Sequence, residues 1–162
     1  GLVECIKEAA ASKKPIMGVC LGMQVLFEES LEFGTQEGVG LIKGQVLRLP
    51  DIIGSNALKV PQIGWHSISP LDEKGNNCWV GTELEHIKPK TYMHFVHSFY
   101  VLPMNKDVVL AQTSYGDFSF CSAISSGNVF ACQFHPEKSG PMGLKIYDSF
   151  KNKIALALKL NV

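Results

Sequence analysis

The sequence of 162 residues has no charge surplus of either sign: 15 Lys and Arg stand against 15 Asp and Glu. With no basic excess to neutralise phosphates, no nucleic-acid partner is expected. It has no long apolar run either. The longest, Ile154 to Leu158, falls far short of the ~20 residues of a membrane-spanning helix, so no membrane partner is expected. None of its five cysteines forms a Cys-x-x-Cys pair. A disulfide framework or structural zinc site is therefore not expected. A Gly-rich phosphate loop and a carboxylate cluster for magnesium are also missing, and neither metal nor cofactor is expected. No charged-then-apolar leader precedes the first helical pattern. Together with the free thiols, this points to a reducing, cytoplasmic compartment. What remains is ordinary globular composition, 46% hydrophobic and 19% charged, at a length that suits a single domain over 1–162.

The chain opens with helical spacing over 2–12, ended by Lys13-Lys14-Pro15. Ile16–Val19 is a short continuous apolar run, the mark of a strand buried on both faces. Met23–Phe33 then carries Met23, Leu26, Phe27 and Leu31 at helical spacing. Helix–strand–helix is the grammar of an α/β fold with a parallel sheet. From about residue 38 the pattern changes to short strands rich in β-branched and aromatic residues, at 46–49, 62–68, 92–101, 108–114, 118–124 and 129–134. The stretch 70–90 reads as a surface loop. A closing amphipathic helix is predicted over about 140–159. The expected architecture is a three-layer α/β/α domain with an added antiparallel strand region.

Four of the cysteines read as structural. Cys5 lies on a helix face and, with Cys78, fits a buried small hydrophobe. Cys121 and Cys132 flank a turn signal, and centring that turn on Ser126-Gly127 places them opposite each other as neighbouring free thiols. Cys20 is different. Gly18-Val19-Cys20-Leu21-Gly22 lies between a buried strand and a helix, which is the nucleophile-elbow pattern with cysteine in place of serine. Such a turn needs small residues two positions either side and projects the sulfur beyond the sheet. The helix N-terminus behind it is expected to lower the thiol pKa, and the Leu21 amide can face a developing oxyanion. A buried cysteine in a tight turn fits the same five residues equally well.

Phe134-His135-Pro136-Glu137 follows the last predicted strand. In an extended segment, residues two apart share a side, so Glu137 can hold the imidazole of His135, and His135 can serve Cys20. A lone His-x-Glu also fits a surface hydrogen bond. The two elements together at strand ends favour a Cys-His-Glu triad. His94 and His97 fall on opposite faces of a strand, which disfavours a metal chelate.

The segments PIMGVCLGMQ (15–24) and QFHPEKS (133–139) resemble the class I (triad) glutamine amidotransferases. Met23 after the elbow, Lys138-Ser139 after the His-Pro-Glu, PQIGW (61–65) and FVHSF (95–99) make the chain most similar to the glutaminase subunits of imidazole glycerol phosphate synthases. The resemblance implies a flavodoxin-like fold and hydrolysis of glutamine through a glutamyl thioester on Cys20. In that scheme His135 acts as general acid and then base, Glu137 as its orienting carboxylate, and the Leu21 amide as an oxyanion donor. Gln24 would hold the amino-acid end of glutamine, and His97-Ser98-Phe99 would contact it largely through backbone. The ammonia would pass to a partner (βα)₈-barrel cyclase subunit in a heterodimer serving histidine biosynthesis, with Trp65, His94 and Lys138 toward that partner. Trp65 also fits a core aromatic, and Lys138 a solvated charge.

Gln62 and His66 depart from the residues usual in this family, in a segment thought to face the cyclase, and His94 stands where an aromatic is usual. Family members also begin with βα units and a P-G-x-G segment that supplies a second oxyanion amide, and none of this precedes Gly1 here. The expectation is an N-terminally incomplete domain, lacking the first βα units and poorly active alone. Another triad glutaminase, and a catalytically dead cyclase-binding fragment, are the alternative readings.

Overall fold

The computed structural model describes residues 1–53, 56–71 and 78–159. Along the chain run α1 (Leu2–Ala11), β1 (Ile16–Val19), α2 (Leu21–Gln24), β2 (Phe27–Ser30), β3 (Gln36–Glu37), β4 (Ile42–Arg48), β5 (Ile52–Ile53) and β6 (Asn56–Ala57). There follow β7 (Gln62–Ile68), β8 (Thr91–His97), β9 (Phe99–Pro103), β10 (Val109–Tyr115), β11 (Phe118–Ser126), β12 (Val129–Cys132) and α3 (Gly140–Lys159). Eight strands form one mixed sheet in the order β1-β12-β11-β9-β4-β2-β3, with β10 also paired to β11. Among the described residues only β1/β12 and β2/β4 are parallel pairs, so the parallel grammar of the first thirty residues covers a small part of the sheet. A separate ribbon joins β7 to β8.

The core lies on both faces of the sheet. Along β12, Phe130 and Cys132 join one cluster while Val129 and Ala131 join the other, as the two-residue period of a strand requires. The first cluster packs Phe95, Phe120, Phe134 and Ile146 between the sheet, the β7–β8 ribbon and α3. The second packs Met23, Leu26, Val46 and Ile124, with Ile6 of α1 against it. Helices thus cover both faces, giving the three-layer α/β fold. The alternation breaks at Ser122, where the β10–β11 register slips and Phe120 and Ala123 both face the first cluster. A β-bulge does this by adding one residue on one strand.

Five local expectations change. Met23–Phe33 is not one helix: α2 stops after Gln24, and β2 pairs parallel to β4. Backbone bonds from Val39 to Val25 and from Leu41 to Leu26 take up the groups a helix would have used. Residues 92–101 are two strands, broken at Ser98, whose carbonyl accepts the Leu49 amide at 2.8 Å. Of the 70–90 stretch, 72–77 lie outside the described residues. The part from Cys78 onward sends Trp79, Leu84 and Ile87 into the core, and the Trp79 indole donates to the Leu110 carbonyl at 2.7 Å. Finally, the β11–β12 register pairs Ser126 with Val129, which centres the turn on Gly127-Asn128 and sets Cys132 opposite Ala123, not Cys121. Both thiols are free and buried, Cys78 is partly buried, and Cys5 is exposed, against expectation. No residue of α1 is fully buried.

Candidate functional site

The site is built where the two parallel strands β1 and β12 end side by side. Val19 is registered with Cys132, and the Cys20 amide donates to the Cys132 carbonyl at 2.8 Å. The strand then turns straight into α2. Cys20 takes φ 52° and ψ −107°, a region strained for any residue with a side chain. Gly18 is what lets the turn close: a Cβ there would lie 2.7 Å from the Gly22 carbonyl oxygen. Gly22 itself has open space where its Cβ would be, so only the first glycine of the pair is sterically required.

The Cys20 sulfur is half-buried and has three polar neighbours. It reaches the Val96 carbonyl at 3.7 Å, and the Gln133 side-chain amide donates to it at 3.6 Å. The Leu21 amide also acts on it. Burial pushes the Cys20 thiol above its ordinary value, and the amides of Leu21 and Gln133 only partly offset this. The expected lowering by the helix does not occur, because α2 is a single turn and offers little dipole.

His135 caps a short 3-10 turn, Pro136–Lys138, and its Nδ1 lies 2.7 Å from Glu137 Oε1. The contact was expected but its geometry was not: the turn, not an extended segment, brings the two together. The second carboxylate oxygen accepts the Tyr147 hydroxyl of α3 at 3.3 Å. Burial pushes the Glu137 carboxyl up, but its own amide, the imidazole and the tyrosine together hold it below the usual carboxylate range. Burial, then the Glu137 charge, pushes Tyr147 up to about 12. Ser139 pins the loop, donating to the His135 carbonyl at 2.6 Å and accepting the His94 amide at 2.9 Å.

Beside the elbow, a cleft of about 280 Å³ is lined by Leu21, Gln24 and the acidic side chains of Glu29, Glu32 and Glu37. Among the described residues no cluster of three or more His, Cys, Asp or Glu is placed to hold a metal ion. No helix among them is long and apolar enough to cross a membrane.

Cys20 thus follows β1, a partly buried strand at the end of the sheet order and not one buried on both faces as expected, and the His–Glu pair follows the neighbouring strand end. The profile of the family described as glutamine amidotransferase class-I matches residues 1–154. The chain belongs to the class-I glutamine amidotransferase family. Among relatives, it is 44% identical to the imidazole glycerol phosphate synthase subunit HisH of Sulfurimonas denitrificans, over 93% of this chain and 68% of that protein. It is 43% identical to the subunit of the same name from Aquifex aeolicus, over 94% of this chain and 67% of that one. In fold it is similar to PurLQS from Thermotoga maritima (TM-score 0.63, 21% identity, 94% of this chain and 68% of that one). It is similar also to a GMP synthase protein from Thermoplasma acidophilum (TM-score 0.63, 18% identity, 98% of this chain and 67% of that one).

Within this amidotransferase the expected substrate residues Gln24, His97 and Phe99 are linked by hydrogen bonds that lead, through Gln24, to Gln133 beside Cys20. Gln24 is buried, and its amide donates to the Phe99 carbonyl at 2.8 Å and to Gln133 Oε1 at 3.1 Å. His97 is buried on the inner face of β8, with Nδ1 2.8 Å from the same Phe99 carbonyl. The Ser98 carbonyl is already taken by Leu49. Trp65 lies on the outer face of the ribbon, 51% exposed, with its ring edge-on to His94 at 5.7 Å. Lys138 is exposed. Gln62 and His66 point the other way. Gln62 is fully buried, and His66 packs on Phe95 and Tyr115, so both face away from Trp65's side of the ribbon. Sequence reasoning missed Gln133, Ser139 and Tyr147. The first two stand inside the QFHPEKS segment, but only their contacts distinguish them from packing residues.

Proposed function

We propose that this chain is the glutaminase subunit of an imidazole glycerol phosphate synthase, hydrolysing glutamine and delivering the ammonia to a cyclase. The observation that carries the reading is the strained Cys20 at one parallel strand end, with the His135–Glu137 pair following the adjacent one. Cys20 gives its proton to His135 and, as the thiolate, attacks the side-chain amide of glutamine. The Leu21 amide, which acts on the Cys20 sulfur, donates to the tetrahedral oxyanion in this scheme. Collapse expels the amine, which His135 protonates, and leaves a thioester. His135 then takes a proton from water, and the thioester is hydrolysed to glutamate. Glu137 holds Nδ1, leaving Nε2 as the working nitrogen, and stabilises the imidazolium that forms.

The acid-lined cleft next to Leu21 suits the ammonium of an amino-acid substrate. Gln24 shapes its inner wall, and 97–99 lie behind it through the Phe99 carbonyl. Residues 1–162 belong to a single amidotransferase domain.

The partner reading rests on the outer face of the β7–β8 ribbon. Ile63, Trp65, Tyr92 and Val96 are exposed together there, flanking His94. Such a contiguous apolar patch marks an interaction surface. Lys138 lies in the loop tied to His94, and we place a (βα)₈-barrel cyclase against this face.

The test is ammonia release from glutamine, with and without a relative's cyclase subunit, by the chain and by its Cys20→Ser variant. The expected result is turnover that rises with cyclase and vanishes in the variant. Turnover that survives Cys20→Ser would overturn the reading. Glutaminase activity indifferent to the cyclase would favour another triad glutaminase, and cyclase binding without any turnover a docking subunit that has lost catalysis.

A further inference from the structure

Burial works against the ionised form of Cys20, yet attack on an amide requires the thiolate. Something near the sulfur must offset that burial. Among the charged groups that act on it, Glu137 disfavours ionisation and Lys138 favours it, each less than the neighbouring amides do. Cys132, behind it on β12, is held neutral by burial. Among the described residues the one side-chain donor is Gln133, fully buried, with Nε2 at 3.6 Å from Sγ.

Which end of that amide faces the sulfur follows from a short chain of hydrogen bonds anchored on backbone. The Phe99 carbonyl can only accept. It therefore faces the NH₂ of Gln24, at 2.8 Å, and the Nδ1–H of His97, also at 2.8 Å. The same Gln24 nitrogen lies 3.1 Å from the Gln133 side chain, so Gln133 must present its oxygen there. Its NH₂ is left facing Cys20. The Gln133 backbone is fixed as well: its amide donates at 2.9 Å to the carbonyl of Ser122, the residue at the bulge of β11. Val96 supplies the complementary resting contact, since its carbonyl accepts the S–H of the neutral thiol and offers nothing to the thiolate.

We propose that Gln133 is the side-chain donor that stabilises the Cys20 thiolate, with Gln24 and the Phe99 carbonyl fixing the orientation of its amide. This rests on the reading of Cys20 as the nucleophile. Gln133 touches the reacting sulfur directly, while Gln24 acts through it as a positioning residue.

The sign of one measurement separates this role from packing. Removing the donor raises the thiol midpoint. Loosening the site would let water in and lower it, because burial is what pushes it up. The experiment is the pH dependence of Cys20 alkylation by iodoacetamide, an uncharged reagent, in the wild-type chain, Gln133→Met and Gln133→Glu. Alkylation is followed by mass spectrometry of the Cys20 peptide, so the exposed Cys5 does not interfere. Gln133→Met is expected to raise the midpoint by about one pH unit, a roughly tenfold lower rate below it. Gln133→Glu, which puts a negative charge in the donor's place, should raise it further. A midpoint unchanged or lowered in both variants overturns the proposal. If one variant fails to fold in a thermal melt, the other still gives the sign. Glutamine turnover separates the two readings. Turnover lost in Cys20→Ser with midpoints unchanged in the Gln133 variants sinks this inference alone, and turnover retained in Cys20→Ser sinks both.

Discussion

The backbones of His94 and His135 are bonded to each other: the His135 amide donates to the His94 carbonyl at 2.9 Å, and Ser139 returns the connection by accepting the His94 amide. The ribbon that carries the exposed Trp65 beside His94 therefore also holds the imidazole loop, through β8. Ser139→Ala leaves the His94 amide without its acceptor, at a cost of about 1–3 kcal/mol, while the His135 carbonyl keeps the Lys138 amide at 3.0 Å. The expected outcome is a lower melting temperature and a fall in kcat larger than any change in KM, measured by thermal melts and steady-state ammonia release.

Trp65→Ala should act on association. Truncating a half-exposed aromatic removes little from the folded core. If Trp65 anchors the partner, it should weaken cyclase binding by ~2 kcal/mol or more, roughly thirtyfold in Kd by titration calorimetry. An unchanged Kd would place the interface elsewhere.

Gly18→Ala drives a methyl group to within 2.7 Å of backbone at Gly22, where nothing flexible can yield. Overpacking of this kind costs about 1–3 kcal/mol. Because the displaced atoms form the elbow, the thermal melt should fall and Cys20 alkylation should change together. Gly22→Ala meets open space and should affect the melt much less.

The His135–Glu137 pair separates by variant. His135→Ala removes the acid and base and should lower glutamine turnover by ~10²–10⁴-fold. Tyr147→Phe removes one hydrogen bond that favours the Glu137 carboxylate. The loss should be small, well under that of His135→Ala, and should move the acid limb of the pH–rate profile upward.

Burial pushes His97 down to about 4. Unfolded, it titrates near the usual value of ~6.5, so between these limits the unfolded chain binds the extra proton. Stability from this residue is therefore complete above ~6.5 and lost as pH falls toward 4, on the order of 3 kcal/mol. Chemical denaturation from neutral pH to about pH 4 should show that loss, and His97→Gln should flatten it. The same slope in the variant would remove His97 as its source.

Much of the antiparallel region was legible because each strand carried its own pattern. Gln62–Ile68 reads directly from alternation and β-branching, and the structure places β7 over those residues. Met23–Phe33 did not, because Met23, Leu26 and Phe27 at helical spacing also suit one helical turn followed by a strand. Pairing with Val39–Ile42, remote in sequence, decides between them. The hairpin of Cys121 and Cys132 failed for a related reason. Ser125-Ser126-Gly127-Asn128 allows two turn centres, and a shift of centre moves the partner of Cys132 from Cys121 to Ala123.

The sequence by itself determined the elbow, the His-Pro-Glu segment and hence the family, because a tight strand-to-helix turn and a turn-held imidazole need particular residues in immediate succession. Tertiary structure alone decided what surrounds the sulfur. The Gln133 amide, the Val96 carbonyl and the Gln24–Phe99–His97 bonds come from segments up to 113 residues away from Cys20. Hydrogen-bond direction depends on which atom meets which, and burial depends on the whole packed neighbourhood. Neither leaves a local spacing to read, so the raised thiol of Cys20, expected to be lowered, emerged only from the fold.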